Sequence, residues 1–189
     1  MDICNEGIRF MRIGITGAQS VGKTTLLNAL RSEKLFSENK FVICDEVTRR
    51  VKSYGLPINE DGTDITQHLI MNEHIVNVFM HDRMLTDRTV LDGLVYTTYL
   101  YKHTKVNVQT VAYATEVFNR VWKQYDHVFY IQPEFDVADD GVRSVDVNFR
   151  NEIADMFDAI IINKKLTLHQ VKGSVRNRVN LIMDLLEGR

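Results

Sequence analysis

Cysteine is almost missing: Cys4 and Cys44 are the only two in 189 residues. Two thiols cannot build the disulfide framework of a small secreted domain, and neither sits in a Cys-x-x-Cys pair or a Cys/His cluster of metal-ligand spacing. A reducing, cytoplasmic setting is the expectation. Long apolar runs are missing too. No stretch approaches the roughly 20 residues that span a bilayer, and the opening MDICNEGIRFMR carries acids where a secretory signal has its apolar core. A soluble, unprocessed chain without a membrane partner is expected. Charge of one sign is nowhere concentrated: 23 Lys and Arg against 25 Asp and Glu give a net charge of −2, with no long block of like charges. That disfavours a nucleic-acid partner without deciding the oligomeric state. Repeats, low-complexity tracts and convincing linkers are absent, so one domain over residues 1–189 is expected.

What is present is a regular alternation. FMRIGITG (10–17) is a short apolar run ending in glycine, followed by Leu26, Leu27 and Leu30 on one helical face. KFVIC (40–44) reads as a second strand, and Val47, Val51 and Tyr54 as a helix stopped by Gly55 and Pro57. Ile65, Leu69, Val76 and Phe79 recur at helical spacing before the strand RMLTD (83–87). Helices follow at about 90–102 and 108–125, then the strand HVFYIQP (127–133), closed by proline. AIIIN has strand composition, but Phe149, Ile153, Phe157, Ile160 and Ile161 keep the helical period and place it in one helix through about 162. LTLHQVK (166–172) is then the fifth strand, and Ser174 caps a last helix on Val175, Val179, Ile182, Met183 and Leu186. Strands alternating with helices imply an α/β fold, a parallel sheet of about five strands with helices on both faces.

Between the first strand and helix lies Gly17-Ala18-Gln19-Ser20-Val21-Gly22-Lys23-Thr24, the G-x-x-x-x-G-K-T phosphate loop in its required context. Its glycines let successive backbone N–H groups turn toward phosphate oxygens. Lys23 reaches the β- and γ-phosphates, and the Thr24 hydroxyl ligates Mg²⁺. The junction therefore holds a triphosphate. A GTPase would add Asn-Lys-x-Asp, and the nearest approach, Asn163-Lys164-Lys165-Leu166, lacks the aspartate.

Three further groups fall at the carboxyl edge of the expected sheet, where open α/β folds bind ligands. Asp45-Glu46 follows the second strand, with Arg49 and Arg50 one turn on. A carboxylate here suits positioning and deprotonating a hydroxyl acceptor, whereas a phosphate acceptor would call on the arginines instead. Asp87 closes the third strand, placed to hold Mg²⁺ through water beside Thr24, and Arg88 is placed for acceptor or phosphates. Asp92 lies three residues beyond Thr89 on the helix that starts there. Last, DDGVRSVDVNFR (139–150) is a glycine-containing loop with Arg143, and Arg150 on the next helix, suited to covering the transferred phosphoryl group. Helix-end acids and solvated arginines are the plainer account of each group. Six histidines show no ligand spacing except His74 and His81, seven apart, and are read as structural.

GAQSVGKTTL, the acid-rich start after strand two, DRTVLDGLVY (87–96) and DDGVRS (139–144) together resemble the nicotinamide riboside kinase domain of bifunctional NAD-biosynthesis regulators and its wider ATPase family. That family is similar in architecture to the thymidylate and deoxynucleoside kinases. The resemblance implies a phosphate-loop NTPase sandwich with strand order 2-3-1-4-5, ATP with Mg²⁺, and a lid after strand four at about 134–150. It further implies ATP contacts at residues 17 to 25, Thr25 included, a magnesium or acceptor role for Asp87, and acceptor contacts near Asp45, Glu46 and Asp92. Where that domain has an aromatic beside its strand-two acid, this chain reads CDEVTRR. The function expected is transfer of the γ-phosphoryl of ATP to a small nucleoside or nucleotide. The alternatives are a kinase of a base or end in DNA and a non-catalytic nucleotide-binding interaction protein.

Overall fold

The computed structural model describes residues 10–134 and 147–188. Five strands, β1 (Met11–Thr16), β2 (Val42–Cys44), β3 (Arg83–Asp87), β4 (His127–Tyr130) and β5 (His169–Gln170), form one sheet in the order β2-β3-β1-β4-β5. Every neighbouring pair is parallel. A parallel sheet covered on both faces needs apolar residues on both sides of each strand. Accordingly Ile13, Ile15, Met84, Leu85, Val128 and Phe129 are all buried, although they point alternately up and down. The register sets Ile15 opposite Asp87, Thr16 opposite Tyr130 and Cys44 opposite Thr86, so the carboxyl ends of four strands make one common edge.

Eight helices connect the strands among the described residues: α1 (Lys23–Arg31), α2 (Lys34–Glu38), α3 (Val47–Ser53), α4 (Asp64–Met80), α5 (Val90–Lys102), α6 (Val108–Val121), α7 (Val147–Lys164) and α8 (Val175–Glu187). None is long and apolar enough to cross a membrane. Their starts follow local chemistry. Thr63 and Thr89 close reciprocal capping boxes with Thr66 and Asp92, and the Ser174 hydroxyl accepts the N–H of Asn177. AIIIN lies within α7, as its period predicts. The short α2 is not visible in the periodicity, because its five residues bury only Phe36.

The apolar stripe that marks α4 is its outer face. The residues that predict α4, Ile65, Leu69, Val76 and Phe79, face outward, with Ile65 65% and Phe79 57% exposed. The inward side carries Thr66, Gln67, Ile70, Met71, His74, Asn77 and Val78. The helix exists where the period puts it, but rotated, because its inner face borders a polar cleft rather than a uniform core. α5 comes close to this face at Gly93, where any Cβ would collide with the Met71 sulfur.

Candidate functional site

At the end of β1 the chain turns sharply through the phosphate loop. Gly17 has φ 143° and Gly22 φ 89°, conformations that favour glycine, and a Cβ on Gly17 would strike the Ile131 carbonyl oxygen. Gly22 is the N-cap of α1, so the loop feeds directly into a helix N-terminus. Ala18, Gln19 and Val21 are buried, and Thr25 lies in the first turn of α1. The loop is braced from outside its own sequence. Tyr96 of α5 donates to Gln19 Oε1 at 2.8 Å, and the buried Arg178 of α8 donates to the Val21 carbonyl at 2.9 Å. Arg178 also reaches Glu134 Oε1 at 3.4 Å. Ser20 Oγ and Gln19 Nε2 are buried without partners.

Lys23 folds back onto the loop. Its Nζ donates to the carbonyls of Gly17 at 2.8 Å and Ala18 at 2.5 Å, and the side chain is only 3% exposed as a residue. Burial, helped by nearby Arg88, pulls its pKa down to about 7, against the opposing pull of Asp92, Asp87 and Glu46. The next residue, Thr24, donates from Oγ1 to Asp87 Oδ2 at 2.6 Å. Asp87 is buried at the end of β3, and its second oxygen, Oδ1, has no partner. Burial and then the charge of Glu46 raise its pKa above the ordinary carboxylate value, opposed by Lys23 and the Thr24 hydroxyl.

Arg88 turns the other way. Its φ of 81° is left-handed, rare for a residue with a side chain. From there the buried guanidinium donates to Glu46 Oε1 at 2.7 Å and to Asp92 Oδ1 at 3.3 Å, and lies 5.1 Å from the Tyr96 ring centre. Burial alone would weaken its charge, but Glu46, Tyr96 and Asp92 hold its pKa well above the ordinary value. Glu46 Oε2 accepts from Arg49 Nε at 3.1 Å. Asp92 is saturated: its Oδ2 accepts from Thr16 Oγ1 at 2.5 Å and from the Thr89 N–H at 2.8 Å.

The adjacent acids after β2 therefore part company. Glu46 turns inward to Arg88, while the Asp45 carboxylate is 75% exposed and meets Arg31 at 3.3 Å. Beside Arg88 lies a narrow pocket lined by Thr48, Asn59, Gln67, Ile70, His74 and Tyr96 together with Arg88, Asp92 and Gly93. An open groove on the other side of Glu46 is bordered by Thr24, Asp45, Arg49 and Arg50. Arg50 pairs with Glu73 across that region. Arg143 and residues 135–146 of the lid expected at about 134–150 lie outside the described residues. Arg150 is buried in α7, 8% exposed, which is not the solvated position the sequence allows.

Sequence reasoning does not single out Gln67, Tyr96 or Arg178, and it reads His74 as structural. The available signal was a polar stripe, Thr66, Gln67, His74 and Asn77, on the side of α4 opposite its apolar residues.

A family model for the AAA domain matches residues 12–178. No curated protein matches the chain. Among solved structures, a deoxyadenosine kinase from M. mycoides with dCMP and a flexible dCDP is similar, with a TM-score of 0.67 at 14% identity over 95% of this chain and 100% of that one. The same kinase with dCTP gives 0.59 at 15% identity, covering 95% of this chain and 100% of that one. A NadR protein in complex with NR gives 0.70 at 15% identity over 95% of this chain and 51% of that one, so the present chain spans about half of it. At such identities the likeness is one of fold, and it agrees with the resemblance carried by the motifs. With the family model matched from Arg12 to Arg178, the chain belongs to the AAA-domain family, on the phosphate-loop kinase fold.

Proposed function

We propose that the protein is an ATP- and Mg²⁺-dependent phosphotransferase that moves the γ-phosphoryl group to a hydroxyl of a small nucleoside or nucleotide. One observation supports this most strongly. Asp87 and Arg88 are consecutive, yet Asp87 bonds Thr24 of the phosphate loop while Arg88 bonds Glu46 beside the pocket. A triphosphate site and a separate small-molecule site thus adjoin across one peptide bond. A donor and an acceptor need that arrangement, and a simple nucleotide switch does not.

In this account the loop N–H groups of residues 17 to 25 and the N-terminus of α1 hold the phosphates. Lys23 exchanges the Gly17 and Ala18 carbonyls for β- and γ-oxygens. The Thr24 hydroxyl and Asp87, with its unpartnered buried oxygen, are hard oxygen donors that fit a magnesium ion carried in with the nucleotide. Bound there, the ion would neutralise charge on the phosphate oxygens. Glu46, fixed by Arg88 and Arg49, orients the acceptor hydroxyl and takes its proton. Arg88 and Arg49 each donate to one of the Glu46 carboxylate oxygens, an arrangement that suits a loose transition state in which the acceptor is positioned first and deprotonated late. Arg49 and Arg50 border the open groove, where a phosphate on the acceptor would find cations.

ADP release measured with nucleosides, nucleoside monophosphates and single-stranded DNA tests the reading. Release stimulated by a nucleoside or its monophosphate is expected. Stimulation by DNA alone would make the protein a nucleic-acid kinase, and tight ATP binding without stimulation by any acceptor would make it a binding module.

A further inference from the structure

The acceptor pocket has an inner wall whose chemistry is more specific than its shape. His74 stands on that wall, 1% exposed, and neither ring nitrogen has a hydrogen-bond partner. Buried polar side chains are nearly always paired, so an orphan calls for an explanation. Three of the other histidines are paired, His103 with Glu152 at 3.1 Å and His127 with His169 at 3.4 Å, and His68 and His81 are only half-buried. Two helical turns before His74, Gln67 is 2% exposed and its side-chain amide lies 3.0 Å from the Thr97 hydroxyl. Thr97 has a single hydroxyl proton and its oxygen also lies 2.7 Å from the Gly93 carbonyl oxygen, so the free end of the Gln67 amide offers the pocket either a donor or an acceptor.

We infer that His74 and Gln67 read the hydrogen-bonding edge of a neutral heterocycle, so that the acceptor is an uncharged nucleoside and not a pyridinium riboside. The inference rests on the pocket being the acceptor site. Burial, above all, pushes the His74 pKa down to about 4, so at neutral pH the imidazole supplies one donor and one acceptor and no charge. A ring with a fixed positive charge would need a carboxylate or an open aromatic face on this wall. Neither is on offer among the described lining residues. Both Asp92 oxygens are already engaged by Thr16, Thr89 and Arg88. Tyr96 is the aromatic residue of the lining, and Arg88 lies over its ring. Glu46 is held by two arginines. A neutral base edge, by contrast, completes the unmet donors and acceptor of His74 and meets the free amide of Gln67.

Titration calorimetry on the full chain, with adenosine, cytidine, their deoxy forms and nicotinamide riboside as probes, tests this. At least one neutral nucleoside should bind about tenfold or more tightly than the pyridinium riboside. His74→Leu should weaken that nucleoside about tenfold or more, with MgATP affinity unchanged and the melting temperature no lower, since the folded protein loses no hydrogen bond. A structural histidine would show the opposite pattern, a lower melting temperature with nucleoside affinity intact. Gln67→Glu adds a carboxylate to the wall and should shift the preference toward the pyridinium riboside by about tenfold. Equal binding of neutral and pyridinium nucleosides, or an unchanged preference in both variants, would overturn the inference alone. Binding of MgATP with no nucleoside binding at all would overturn the acceptor reading and the inference together.

Discussion

The phosphate loop and the inner face of α4 border the same edge of the sheet, yet they are made in opposite ways. The loop offers its ligand backbone N–H groups, so its residue types are dictated by conformation: glycine where φ is 143° and 89°, and one lysine held by the loop's own carbonyls. The α4 wall offers side chains gathered from α3, α4, α5 and the turn at Asn59–Asp61, and its polar residues point inward while Ile65, Val76 and Phe79 point out. A site built from main chain must be contiguous in sequence. One built from side chains on a rigid scaffold need not be, and it can reverse the apolar pattern of the helix that carries it.

The sharpest break in this comparison is Lys23→Ala, which removes the side chain that the proposed function assigns to the β- and γ-phosphates. Turnover should fall about a thousandfold with the fold intact by circular dichroism. A milder loss would mean that the backbone alone holds the triphosphate. On the α4 side the matching signature is acid lability. The folded-state pKa of His74 lies at about 4, below its ordinary 6.5, so the unfolded chain binds the extra proton in between. Stability is therefore retained above pH 6.5 and lost as pH falls toward 4, by about 3 kcal/mol at most. Denaturant unfolding at pH 7 and pH 4.5 should show this slope in the wild type and flatten it in His74→Leu.

The acids where the two regions meet should separate next. Glu46→Gln is expected to lower turnover about a hundredfold, while Asp45→Ala stays within about twofold, because only Glu46 faces Arg88. Equal losses in steady-state assays would put Asp45 back in the site. Asp87→Asn should have a smaller effect than Glu46→Gln, raising the magnesium needed for half-maximal rate about tenfold. A magnesium titration matching the wild type would leave Asp87 as the structural partner of Thr24.

Much of this was legible before the structure. The strands could be read because a doubly covered sheet demands continuous apolar runs, and the loop because its backbone demands glycine. The fifth strand lies within the expected 166–172, although only His169–Gln170 pair, whereas the five-residue α2 falls below the length at which a period is detectable. Which of Asp45 and Glu46 faces inward depends on a one-residue rotation at the end of β2 that no spacing encodes. The period locates α4 but not its facing: an apolar stripe is expected to seek the core, yet Gln67 and His74 occupy inward positions. Arg178 sits 157 residues from the Val21 carbonyl it supports, a contact that only the closed fold creates.

The account stands or falls on whether the two adjoining sites exchange a phosphoryl group. The direct measurement follows γ-labelled ATP with Mg²⁺ and the best-binding neutral nucleoside, separating the products and locating the label. The predicted result is label on the nucleoside with the wild type, and a strongly reduced amount with Glu46→Gln and with Lys23→Ala. Label that stays on ATP, or that appears only as inorganic phosphate whatever acceptor is supplied, would contradict the account.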